Sequence, residues 1–206
     1  YAIQSGKAFG LFCFLSGAVY IFNDIRDLEN DRQHPGKRHR PIASGQLSIP
    51  VAAAAACIVG LVALWVAFWL DTRFGWVALA YTVLNLGYSI YLKHVVILDV
   101  MIIAGGFLLR ATGGAVVINV QISSWFILCT MLLALFLGFV KRRQELILLE
   151  SDAANHRRIL EEYNPQFLDQ MIAIVTSGTL VSYALYTMSS DVIQKLGTKH
   201  RKTNFL

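Results

Sequence analysis

The sequence predicts an all-α integral membrane protein, a single domain over residues 1–206 built from about six transmembrane helices. Three observations carry that prediction. The chain is 56% hydrophobic and 15% charged, where a soluble domain averages about 25% charged residues, and its mean hydropathy is +0.54. Several apolar stretches approach the roughly 20 residues needed to cross a bilayer. The basic residues also collect in alternate connecting stretches rather than along the spans.

The first expected span is 7–23, apolar up to the run NDIRDLENDRQHPGKRHRPIASG at 23–45. The second, 51–70, has no ionisable residue and ends Trp-rich, as a lipid-facing helix with an interfacial aromatic anchor does. The third, 74–92, carries Tyr81, Asn85 and Tyr88 on one helical face. The fourth, 95–118, contains Asp99 and Arg110, and the fifth, 122–140, closes on FVKRRQEL. The sixth, 167–189, carries a looser stripe of Thr176, Thr179, Tyr183 and Tyr186. Both polar stripes fit ordinary interhelical hydrogen bonding or the lining of a cavity. Pro35, Pro41, Pro50 and Pro165 fall between spans, as helix breakers should.

Alternating helices place the stretches 24–50, 92–95 and 141–166 on one side. That side holds Arg26, Arg32, Lys37, Arg38, Arg40, Lys93, Lys141, Arg142, Arg143, Arg157 and Arg158. Positive charge marks the cytoplasmic side, so the net +5 reads as topology and not as a nucleic-acid surface. The expected location is a multi-pass cell (plasma) membrane protein with its site facing the cytoplasm. Cys13, Cys57 and Cys129 lie within apolar runs without C-x-x-C spacing, which argues against disulfides and a thiolate metal centre and predicts buried small apolar side chains. The chain opens inside or just ahead of a helix and ends on KTNFL; part of a longer protein is the expectation.

If residues 23–31 continue the first helix, Asn23, Asp24, Asp27 and Asp31 share an arc of about 100°. Three carboxylates on one face repel unless a cation intervenes, and hard oxygen donors suit Mg²⁺. The bland reading is a helix end making ion pairs with the basic loop that follows. That loop brings His34, Lys37, Arg38 and Arg40 within reach. Acids that hold a metal beside bases that hold anions describe a pyrophosphate site, with Arg38 and His39 as bystanders. Asp99 and Arg110 lie eleven positions apart, about 16 Å along one face, too far to pair with each other. Ionisable residues inside a span mark function by default, and Gly106 and Gly113 on that face allow close approach. Lys141, Arg142 and Arg143 either anchor the helix to headgroups or form a second anion clamp, with Glu145 orienting Lys141.

The spacing Asn-Asp-x-x-Asp-x-x-x-Asp, here Asn23, Asp24, Asp27 and Asp31, resembles the signature of the UbiA superfamily of intramembrane prenyltransferases. That resemblance implies a bundle of about nine helices around a lipid-open cavity, with Mg²⁺ and a donor diphosphate on the acids. The chain departs from the pattern where a second multi-aspartate motif is usual, having only Asp99 followed by GGFLLRATGGA. With HPGKRHRPIASG and FVKRRQEL, this is similar to the decaprenyl-phosphate phosphoribosyltransferase branch over residues 16–190. The implied reaction transfers phosphoribosyl from phosphoribosyl pyrophosphate to a polyprenyl phosphate, a step toward lipid-linked pentose for the cell envelope. On that basis Asp24, Asp27 and Asp31 hold Mg²⁺, with Asp31 direct or through water. Asn23 and Tyr88 line the site, and Lys37, Arg40 and Lys93 neutralise the leaving group. Asp99 supports the anomeric carbon or a ribose hydroxyl. Lys141, Arg142 and Arg143 bind a terminal phosphate, of the ribose or of the lipid, and Arg110 is a further substrate-binding residue. The alternatives are prenyl transfer to an aromatic acceptor and, from another class, organic-anion transport resting on Asp99 and Arg110. The family pattern also puts helices before and after this chain. Either a longer protein or a partner, a homo-oligomer included, would supply that wall.

Overall fold

The computed structural model describes residues 2–95, 97–148 and 164–188. Seven helices occupy them and no strand: α1 (Ala2–Arg26), α2 (Leu28–Gln33), α3 (Ile49–Leu70), α4 (Thr72–Ile90), α5 (Leu98–Val117), α6 (Ser124–Leu148) and α7 (Pro165–Met188). Five of them (α1, α3, α5, α6 and α7) are long and apolar enough to cross a membrane. The expected span 74–92 forms α4, but its polar stripe leaves it outside that set. The chain is a multi-pass membrane protein. Its exterior carries Phe14, Leu61, Trp65, Trp69, Leu133 and Leu180 exposed, a surface that suits hydrocarbon rather than water. Cys13 and Cys57 are exposed and Cys129 half-exposed. The expectation of buried thiols is corrected, because all three fall on outward faces.

Local chemistry explains the breaks. Pro50 stands in the first turn of α3, where its missing N–H costs nothing. The α3–α4 turn is a single residue, Asp71, whose Oδ1 accepts from the Phe74 amide at 3.0 Å and so caps α4. Helix α6 runs eight residues past the apolar limit at 140. There the charged run KRRQEL keeps helical register, and an Arg142–Glu145 pair spans one turn.

Two apolar cores hold the bundle. One joins α1, α3 and α4 through Phe12, Leu15, Ala63, Ala67, Phe74 and Tyr81. Phe12 meets the rings of Phe74 and Tyr81 edge-on, each at 5.4 Å. Helix α5 joins this core at Gly113, where an added Cβ would lie 2.6 Å from Phe12. The second core joins α5, α6 and α7 through Val100, Phe139, Leu168 and Val175. Gly138 sets the α5–α6 approach, since a Cβ there would fall 2.5 Å from Val100 Cγ1. Ion pairs then tie the helix ends on one side of the bundle: α1–α2 to the 3₁₀ turn Leu92–His94 by Asp27 and Lys93, α5 to α6 by Asp99 and Arg142, and α6 to α7 by Asp169 and Arg143.

Candidate functional site

A cavity of about 540 Å³ lies between the two cores, lined from α1, α2, α4, α5, α6 and the loop after α2. Its charged end holds Asn23, Asp24, Asp27, Asn30, Asp31, His34, Lys37, Arg40, Tyr88, Lys93, Lys141, Arg142 and Glu145. Deeper, Tyr81, Asn85, Gly106, Arg110, Ile102, Ile103 and Phe107 continue the wall. The α4 stripe therefore does both things expected of it. Tyr81 bonds Ser16 across the helices at 2.8 Å, and all three of its members face the cavity. The α7 stripe does not. Thr176 and Thr179 bond carbonyls of their own helix, and none of its four residues lines the cavity.

The acid run is almost continuous helix. Asp27 separates α1 from α2, yet its amide still donates to Asn23 O at 2.9 Å and its carbonyl accepts from Asp31 N at 2.8 Å. The periodicity is preserved, so the four residues of the motif share the cavity wall while Arg26 and Glu29 lie outside it. The basic loop folds back over them. Arg40 Nη1 donates to Asp24 Oδ1 at 2.6 Å and to Asp31 Oδ2 at 2.9 Å, and Lys93 donates to Asp27. Arg38 and His39 bond each other, exposed and away from the cavity, as expected of bystanders.

The ion-pair reading of this cluster thus describes the arrangement observed. Among the described residues no three acids converge where a metal ion could sit, because Arg40 and Lys93 hold the carboxylates. The donor chemistry nevertheless fits Mg²⁺: hard oxygens only, on one wall. Asn23 adds an oxygen, since its Nδ2 donates to Asp27 while its buried Oδ1 has no partner. A lone buried acceptor beside three carboxylates is a natural cation ligand.

The other predicted residues divide. Lys37, Arg40, Lys93, Tyr88, Arg110, Lys141 and Arg142 all line the cavity. Asp99 does not; it is fully buried behind the wall and accepts from Arg142 Nε at 2.7 Å. Direct contact with a ribose or anomeric carbon is corrected accordingly. Arg142, 2% exposed, also donates to Glu145 and, at 3.5 Å, to Tyr88 Oη. Glu145 therefore orients Arg142. Arg143 points away, bonding Asp169 at 2.9 Å outside the cavity, so the expected three-residue clamp breaks apart. Successive residues on a helix diverge by about 100°, and no run of three adjacent bases can face one site. The pairing of Asp99 also removes an unpaired intramembrane acid from the case for ion transport. Sequence reasoning missed Asn30, one turn past Asp27 on the short α2.

Membrane-length helices enclosing a cavity charged at one end define a polytopic membrane protein with a polar intramembrane site. The chain belongs to the UbiA prenyltransferase family, whose profile matches residues 6–193. It is 36% identical to a decaprenyl-phosphate phosphoribosyltransferase of Mycolicibacterium smegmatis over 96% of this chain and 62% of that protein. It is 40% identical to one of Corynebacterium glutamicum over 89% of this chain and 56% of that protein. The chain thus spans about three-fifths of the length of these relatives. A UbiA homolog from Archaeoglobus fulgidus, solved with GPP and Mg²⁺, shares the fold at a TM-score of 0.80 and 17% identity. The match covers 94% of this chain and 71% of that one.

Proposed function

We propose that this protein transfers a 5-phosphoribosyl group from phosphoribosyl pyrophosphate to a polyprenyl phosphate at the cytoplasmic face of the plasma membrane, releasing pyrophosphate, with Mg²⁺ bound. The observation that carries the reading is a cavity with hard-oxygen ligands on one wall and many cations around it. The identity to phosphoribosyltransferases of the same family supports it. A prenyl diphosphate with an aromatic acceptor brings one cluster of phosphate charge. A phosphoribosyl donor and a phosphorylated acceptor bring three, which is what so many cavity cations suit.

Asp24, Asp27 and Asp31, with Asn23 Oδ1, would hold Mg²⁺, which when bound neutralises the departing pyrophosphate. Arriving phosphate oxygens compete with the carboxylates for Arg40 and Lys93, and each base moves from an acid to the donor. Lys37 adds charge from the loop. The lipid phosphate is already anionic near neutral pH. Its oxygen forms the new bond to ribose C1 as the C1–pyrophosphate oxygen bond breaks, so no strong general base is required. Stabilising the leaving charge is the main task. Asp99 acts from behind the wall, holding Arg142, which in turn holds Glu145 and Tyr88. The polyprenyl tail lies along the apolar wall toward lipid.

The test is the protein reconstituted in liposomes with labelled phosphoribosyl pyrophosphate, polyprenyl phosphate and Mg²⁺. Label in the lipid fraction is the expected result. Its absence overturns the reading, and prenylation of an aromatic acceptor from a prenyl diphosphate would establish the ordinary prenyltransferase reaction instead.

A further inference from the structure

Three cavity cations are committed to carboxylates: Arg40 to Asp24 and Asp31, Lys93 to Asp27, and Arg142 to Asp99 and Glu145. Arg110 differs. Among the described residues no carboxylate lies within ion-pair distance of it, although it stands on a membrane-spanning helix. Its Nε donates to Gly106 O at 3.3 Å, which folds the side chain back toward the charged end. Its guanidinium carbon lies 4.4 Å from the Phe107 ring centroid and 5.8 Å from that of Tyr81. The two rings partly offset the burial of the charge. The terminal nitrogens donate to no described residue, and the cavity lies in front of them.

A guanidinium held by its face and its Nε, with its outer edge open to a cavity, is a receptor for a planar pair of anionic oxygens. Its depth narrows the ligand. Gly106 lies seven residues from Asp99, about 10 Å along α5. Tyr81 is level with Ser16, which lies eight residues below Asp24, about 12 Å along α1. Arg110 therefore sits one small-molecule length beneath the diphosphate end, with apolar Ile102, Ile103 and Phe107 beside it.

We propose that Arg110 is the cavity's subsite for a phosphate monoester, distinct from the diphosphate end. The proposal deepens the phosphoribosyl-transfer reading and rests on it for the two phosphates that qualify, the 5-phosphate of the sugar donor and the phosphate of the lipid acceptor.

The experiment measures equilibrium binding of ribose 5-phosphate, of farnesyl phosphate, and of Mg-pyrophosphate to the detergent-purified protein and to Arg110→Gln and Arg110→Lys. Loss of a charge-assisted hydrogen-bond pair predicts that Arg110→Gln binds one of the two monoesters about 10- to 100-fold more weakly. The monoester affected names the source. Arg110→Lys should lose several-fold on the same monoester, since it keeps charge but not the fork, and it carries the test if the Gln variant does not fold. Unchanged Mg-pyrophosphate affinity shows that the diphosphate end is intact. Wild-type affinity for both monoesters in the variants, or no monoester binding by the wild type, overturns the proposal. Monoester binding through Arg110 without phosphoribosyl transfer would sink the reaction and leave the subsite standing. Transfer with an unchanged KM for donor and acceptor in Arg110→Gln would do the reverse.

Discussion

Asp99→Ala is the perturbation that most sharply separates a residue behind the wall from one in the chemistry. The Asp99 carboxylate is fully buried and Arg142 is 2% exposed, joined at 2.7 Å. Removing one partner of such a pair leaves the other charge stranded, at a cost of about 3–5 kcal/mol. Arg142 keeps Glu145, which is itself half-buried, so the lower end applies. A loss of about 3 kcal/mol corresponds to roughly a 150-fold fall in the folded-to-unfolded ratio. Equilibrium unfolding in detergent measures it. Replacing the linked charges together, as Asp99→Leu with Arg142→Met and Glu145→Gln, leaves no ion of the cluster stranded and should recover most of the loss, because a buried ion pair is often no better than an apolar pair of similar size. If Asp99→Ala is as stable as the wild type while activity vanishes, the carboxylate belongs to the reaction and the structural account fails.

Asp27→Ala should lower turnover by about 10²- to 10³-fold, the cost of removing one preorganised electrostatic group, and should weaken Mg²⁺ dependence in a metal titration; wild-type rates would exclude Asp27 as a ligand. Arg143→Ala should leave turnover unchanged and stability within about 1 kcal/mol, since Arg143 and Asp169 form an exposed pair outside the cavity; a large rise in KM would return Arg143 to the site. Gly138→Ala should cost about 1–3 kcal/mol through overpacking against Val100 Cγ1. Unfolding measurements on the variant, with Val100→Ala as the relieving second change, check that steric origin.

What could be read from the chain follows from range. Helix positions follow from local hydropathy, and the common face of Asn23, Asp24, Asp27 and Asp31 follows from spacing within two turns, which the single-residue interruption at Asp27 does not disturb. The partners of those acids do not follow. Arg40 lies 16 residues from Asp24 and Lys93 lies 66 from Asp27, so their pairing depends on how a loop folds back and how α4 ends beside α1. The Asp99–Arg142 bond spans 43 residues and needs the rotation of α5 against α6, fixed by the contact of Gly138 with Val100. Hydropathy also ended α6 too early, because it penalises charged residues without seeing that Arg142 is buried against a partner. Nor could it tell that Arg143 turns outward.

The pairing pattern carries its own argument about how the cavity works. In a low-dielectric bundle an unpaired charge is expensive, so three carboxylates on one wall must be neutralised before any ligand arrives. Arg40 and Lys93 between them pair with all three and offset two of the three charges, and they are also the bases best placed to receive phosphate. The same contacts that stabilise the ligand-free cavity therefore compete with ligand binding. The competition has a direction: a metal-bound diphosphate offers the acids a cation and the bases an anion together, whereas either one alone strands charge. On the proposed reading, donor and metal should bind with strong mutual dependence. Arg110, outside this exchange and without a carboxylate to leave, should take its phosphate without regard to the metal. Metal dependence at one end and metal independence at the other would be the thermodynamic signature of two anion sites in a single cavity.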